Sequence, residues 1–172
     1  MADITAIFGI LVSIGIAFPG MLTAWWLLFP ATVERARARV EQTPWACFWA
    51  GLFVTVAVAI PIMILMSLPV GGAKFMGWVL LATALTVSSL GSAGISAHMG
   101  RRIARGSSLS PLGGFVRGAV VLELAAIFPV LGWLFIWPLA LIVAFGATAF
   151  ALLNWMPRGV IRTVPESTVQ AA

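Results

Sequence analysis

Charge, cysteine and histidine are nearly missing from this chain, and tyrosine is missing altogether. Only 9% of its 172 residues are charged, against roughly 25% in an ordinary soluble domain. Ten Lys plus Arg and five Asp plus Glu cannot cover the surface of an 18.2 kDa globule, which excludes a water-soluble monomer. The one cysteine, Cys47, sits in an apolar stretch and leaves no disulfide framework and no thiolate metal site. No nucleophile–base pair, Gly-rich phosphate loop or cluster with metal-ligand spacing can be found, which argues against an independent enzyme or a soluble substrate. Basic residues are not interleaved with aromatics, so nucleic acid is not an expected partner.

What the chain has in excess is apolar surface: 62% hydrophobic residues and a mean hydropathy of +1.10. The expected fold class is an all-α integral membrane protein. Three transmembrane helices and a C-terminal helical hairpin would give four to five membrane segments, with a short interfacial amphipathic helix. Residues 1–155 form one polytopic domain, with spans at about 4–29, 45–68, 75–97, 112–128 and 133–155, and 156–172 is a polar tail. Asp3 is the one charge ahead of the first run, and without a cationic stretch that segment is expected to remain as an anchor. Phe18-Pro19-Gly20 is expected to kink it, and Trp25, Trp26 and Phe29 to form an aromatic belt at its end before Pro30 stops it. The interfacial helix follows, with an Arg37/Glu41 pair four residues apart, and ends at Pro44. Residues 69–74 read as a tight turn.

The block from Phe115 to Trp155 is too long for one span: as a single helix it would reach about 60 Å, twice the hydrocarbon thickness. Pro129-Val130-Leu131-Gly132 supplies the break, and the short arm 112–128, which carries Arg117, either spans or is re-entrant. Charge supports this hairpin. With the interfacial helix inside, Arg35, Arg37, Arg39, Arg101, Arg102, Arg105, Arg117, Arg158 and Arg162 all lie inside and only Lys74 outside. The expected location is a bacterial inner membrane, with the N-terminus outside and the C-terminus cytoplasmic. Arg35, Arg37, Arg39, Arg101, Arg102 and Arg105 are then the candidates for lipid headgroups.

Two residues stand out chemically. Glu123 is the only acid inside an apolar run, which makes it a candidate ion or proton site, or a structural carboxyl hydrogen-bonded at an interface. Arg117, six residues earlier, lies on another helical face and is a poor partner for it. Gly94 lies four residues before His98, the only histidine; in this respect the stretch is similar to photosynthetic antenna helices, whose His ligates bacteriochlorophyll. His98 is therefore a candidate tetrapyrrole ligand. The plainer account is an interfacial His beside Arg101 and Arg102. Bound lipid, (bacterio)chlorophyll or carotenoid are the candidate cofactors.

Packing surface is plentiful. Ser88, Ser92, Ser96 and Gly100 repeat every four residues, as do Thr5, Gly9, Ser13 and Ala17, while Gly114 and Gly118 open the hairpin. Small residues at this spacing let membrane helices approach closely, either within the chain or against foreign subunits.

The order of signals resembles an uncharacterised bacterial polytopic membrane region that is sometimes attached to bactofilin-like polymer-forming domains. The similarity spans residues 1–155. It rests on Leu28-Phe29-Pro30, Val33-Glu34-Arg35-Ala36, Pro44, a Gly51-bearing span, Gly100-Arg101-Arg102, Gly113 and Pro129-Val130-Leu131-Gly132. Ser67-Leu68-Pro69-Val70-Gly71 stands where that region has Ile-Gly-Ile-Pro. The resemblance implies the polytopic helical architecture and names no activity. The functional expectation is a non-catalytic accessory subunit of a larger membrane complex, photosynthetic or respiratory, packing against other transmembrane subunits. The alternatives are a small proton or ion channel or transporter using Glu123, and a membrane anchor for a polymer-forming scaffold.

Overall fold

A computed structural model describes residues 2–105, 108, 110–128 and 130–153. The chain is all-helical, with no strand among the described residues. Its helices are α1 (Ala2–Leu28), α2 (Pro30–Gln42), α3 (Pro44–Ser67), α4 (Gly71–Ala104), α5 (Pro111–Ile127) and α6 (Trp137–Leu152), the last preceded by a π-helical turn over Gly132–Ile136. Proline explains several boundaries. Pro30, Pro44 and Pro111 each occupy a helix's first position, where the missing N–H is no loss and the fixed φ suits the helix. Pro30 thus starts α2 as much as it ends α1, and α1 itself continues through Pro19.

Three stretches are long and apolar enough to cross a membrane: α3, α4 and Gly132–Leu152. A fourth arises if the 108° bend between 15–28 and α2 is counted as one broken span. Expected and observed segments agree closely for 45–68 and 112–128. The third differs: α4 runs on past Ala97 to Ala104, and its start at Gly71 shortens the expected turn at 69–74 to Leu68-Pro69-Val70. Hydropathy ends where Arg101 and Arg102 begin, but the backbone has no reason to unwind there, because α2 supplies acids to Arg101 and Arg105. Residues 154–155 of the last span and the tail 156–172 lie outside the described residues.

Helix α4 is the hub, touching α1, α2, α3, α5 and α6. Two small cores flank it. One joins Leu22, Val33, Ala93, Ala97, Phe115 and Leu122; the other joins Ala36, Cys47, Ala147 and Ala151. Trp26, expected in an interfacial belt, instead stacks on Phe115 at 5.4 Å and ties α1 to α5.

The helices meet at backbone distance. A Cβ on Gly118 would lie 2.3 Å from the Ser96 carbonyl oxygen, and one on Gly100 would lie 2.5 Å from that of Gly114, so the α4 stripe packs on α5. Gly91 approaches the Ala144 oxygen within 2.0 Å on the same measure, and Gly94 approaches Ala36 within 2.7 Å. The α3–α6 contact is reciprocal: a Cβ on Gly51 would collide with the Ile142 carbonyl oxygen, and one on Gly146 with that of Cys47. Thr148 adds a bond between helices, donating to the Val87 carbonyl at 3.0 Å. The α1 stripe behaves otherwise. Gly9 and Ser13 are exposed, and a Cβ on Gly9 would meet nothing within 4 Å, so they pack no helix among the described residues.

The hairpin reverses at Val130, whose φ of 64° is unusual for a β-branched residue. Gly132 then lets the return arm pass 2.4 Å, on the same Cβ measure, from the Ala126 oxygen.

Three substitution outcomes follow. Gly146→Ala drives a methyl into a backbone carbonyl and lowers stability by about 1–3 kcal/mol, whereas Gly9→Ala stays within about 0.5 kcal/mol of wild type. Val130→Gly relieves the left-handed strain and raises stability by about 1 kcal/mol. Thermal melts in one detergent read all three.

Candidate functional site

Two places concentrate the chain's few polar groups. The first is the junction where α2 docks on the C-terminal end of α4. On α2, Glu34, Arg37 and Glu41 follow at spacings of three and four; on α4, His98, Arg101 and Arg105 do the same. Such spacing lines each trio along one face of its helix, and the two faces meet. Arg37 is buried between its neighbours: Nε and Nη2 donate to Glu34 at 3.0 and 2.6 Å, and Nη1 donates to Glu41. Arg101 Nη2 reaches both oxygens of Glu34 at 2.9 and 3.0 Å, and Arg105 lies 3.6 Å from Glu41. His98 Nδ1 is 3.9 Å from Glu41.

Partial burial pushes the Glu34 carboxyl up, but hydrogen bonds and charge from Arg37 and Arg101 outweigh it and hold the group below the ordinary carboxylate value. The bonds to Glu34 likewise raise Arg37, against the opposing effect of burial. Of the six arginines expected at headgroups, Arg37 is thus turned inward and Arg101 is paired, while Arg102 is exposed. Arg39 lies over the Phe150 ring at 4.7 Å, and Arg35 points Nη1 toward the Ala151 carbonyl at 3.5 Å. These contacts put the first connector and the end of α4 at the same end of the bundle, as the charge count requires. His98 lies inside α4, facing an acid on α2, rather than at a helix end.

The second place surrounds Glu123. Helix α5 carries it among α1, α4 and α6, and it is 7% exposed. It makes no hydrogen bond or ion pair with any described residue, and Arg117 is exposed on α5 without pairing to it. Beside it lies a cavity of about 400 Å³, lined by Phe18 and Trp25 of α1, Thr86, Ser89 and Ser92 of α4, and Trp137. A second cavity of about 220 Å³ shares Glu123 and Trp137 and adds Trp133. Trp25, expected in the interfacial belt, also walls this cavity, and its Nε1 is buried without an acceptor among the described residues. Among the described residues no cluster of His, Cys, Asp and Glu could hold a metal.

The chain matches no family model, no curated protein and no solved structure.

The sequence singles out Glu123, His98 and the Arg37/Glu41 pair. It misses Glu34 as the bridge between Arg37 and Arg101, for which the shared three-and-four spacing of the two trios was the available signal. It also misses the cavity walls, whose residues come from four segments with no local pattern.

A depressed folded-state carboxyl contributes stability that is complete above its unfolded value and is lost as pH falls through the folded one. The melting temperature is therefore expected to drop on acidification from neutral pH to about pH 3. Glu34→Gln is expected to start lower and to flatten that slope, which parallel melts will show.

Proposed function

We propose that this chain is a non-catalytic accessory subunit of a bacterial inner-membrane assembly, packing against other transmembrane subunits through the outer face of α1. The observation that carries this reading is the contrast among small-residue stripes. On α4, α5 and α6, small residues are spent on backbone contacts inside the chain, whereas Gly9, Ser13 and Ala17 remain exposed. In lipid, such a face gains little unless another helix covers it. The wide apolar exterior, with Trp45, Trp49, Trp78 and Phe53 all exposed, suits acyl chains or neighbouring subunits equally. Orientation follows the cations: the α2–α4 junction faces the cytoplasm and Lys74 the opposite side.

Gentle extraction followed by native mass spectrometry tests this. Wild type is expected to co-purify with other membrane polypeptides. Gly9→Leu is expected to lose them while melting at the wild-type temperature, since a Cβ on Gly9 would meet none of the described residues. A monomer that carries its full function alone overturns the proposal. The absorption spectrum of the same preparation separates a pigmented host from a respiratory one, and shows whether His98 carries a tetrapyrrole.

A second reading, proton or ion passage, draws on the burial of Glu123 between two cavities. Flux in reconstituted vesicles that disappears in Glu123→Gln would support it.

A further inference from the structure

The chemistry of the Glu123 cavity narrows what can enter it. Its hydroxyls have already committed their protons: Thr86 donates to the Ala82 carbonyl at 2.8 Å, Ser89 to Thr86 at 2.7 Å and Ser92 to Ser88 at 3.2 Å. Facing the cavity they have only lone pairs left to offer. Glu123 adds a carboxyl group with no cation from any described residue beside it, and no Lys, Arg or His is among the lining residues. Side-chain donors on the walls are confined to the indole N–H groups of Trp25, Trp137 and Trp133, and that of Trp25 is buried without an acceptor among the described residues. Phe18, Trp25 and Trp137 supply ring surface, and Trp133 extends it into the smaller cavity.

Hydroxyl acceptors, one buried carboxyl group and several aromatic rings are together complementary to a cation with an apolar body. From this we infer that the cavity between α1, α4, α5 and α6 is a binding site for lipophilic amines, with the ammonium on Glu123 and the hydrocarbon or aryl portion against the rings. An ammonium brings the donors that Thr86, Ser89, Ser92 and Glu123 lack, and rings attract it further through their negative faces. A zwitterionic phospholipid headgroup fits poorly, because its phosphate would find no cation. A fatty acid fits worse, since its carboxylate would meet that of Glu123 in a poorly screened site. The volume of about 400 Å³ is in the range of small-molecule sites.

The test is equilibrium dialysis of radiolabelled 4-phenylbutylamine against the full-length protein in nanodiscs at neutral pH, with 4-phenylbutanol and 4-phenylbutyrate as uncharged and anionic counterparts. Saturable binding is expected in the order amine, alcohol, carboxylate. Glu123→Gln keeps the side-chain volume and is expected to weaken the amine about tenfold to a hundredfold while sparing the alcohol. Thr86→Val combined with Ser89→Ala removes two acceptors at near-constant shape, and is expected to weaken the amine by a smaller factor. This double variant decides the matter should Glu123→Gln fail to fold. Alcohol binding as tight as amine binding overturns the inference, as does amine binding unchanged in the variants that fold.

Discussion

When helices are surrounded by acyl chains, burying leucine against leucine gains almost nothing over leaving it in lipid, so attraction between helices depends on how closely their backbones approach. This chain answers that constraint with glycine at nearly every crossing. Helix α4 offers Gly91 to α6, Gly94 to α2 and Gly100 to α5, and is touched in return by Gly118. The α3–α6 pair is the tightest, with Gly51 and Gly146 each lying against the other helix's carbonyls. At such distances dispersion contacts between backbones multiply, and weak Cα–H···O contacts become geometrically accessible. A hub helix with glycines on several faces explains how a short chain holds five neighbours around one axis.

The same closeness governs the charges. Because Gly94 brings the α2 backbone against α4, the Glu34–Arg37–Glu41 face reaches the Arg101 and Arg105 guanidinium groups without long side-chain excursions. Arg37 sits at the centre of this arrangement: its planar fork engages Glu34 through two nitrogens while a third reaches Glu41, a division that a lysine could not make. Exposed ion pairs contribute little singly, but here they set which way the chain turns after the 108° bend. Position and charge therefore depend on one another, and the bend, the glycine contact and the acid–base trios form one local unit.

Much of the architecture was legible in sequence because apolar run length and proline placement are local signals. The hairpin could be read from a block too long for one crossing, and the stripe on α4 from its four-residue repeat. The end of α4 could not, since Arg101 and Arg102 look like a loop until Glu34 is placed beside Arg101. Gly51 and Gly146 each stand alone in their helices, with no repeat to mark them, although they make the closest contact in the bundle. Trp25 and Trp26 showed the composition of a membrane belt; their contacts with the cavity and with Phe115 were not legible, because only the tertiary arrangement creates those surfaces. Glu123 was conspicuous as a lone acid; the space beside it was not, since its walls are contributed by four segments distant in sequence.

That space is held open by the hairpin. Gly132 presses the return arm onto the carbonyls of Ala125 and Ala126, next to Glu123, while the π-helical turn over Gly132–Ile136 inserts extra backbone before α6 begins. A π turn weakens helical hydrogen bonding and persists mainly where it serves a site. Here its flanks carry Trp133 and Trp137, four residues apart, and both wall the Glu123 cavities. On the opposite wall, Ser89 and Ser92 are too small to fill the gap that the indoles leave. A carboxyl left unpartnered in such surroundings costs on the order of a few kcal/mol. A fold optimised only for stability would have replaced it with leucine and collapsed the turn into an ordinary helix. In the inferred amine site both features would have a use: the acid would meet the ammonium, and the π turn would space the rings around it.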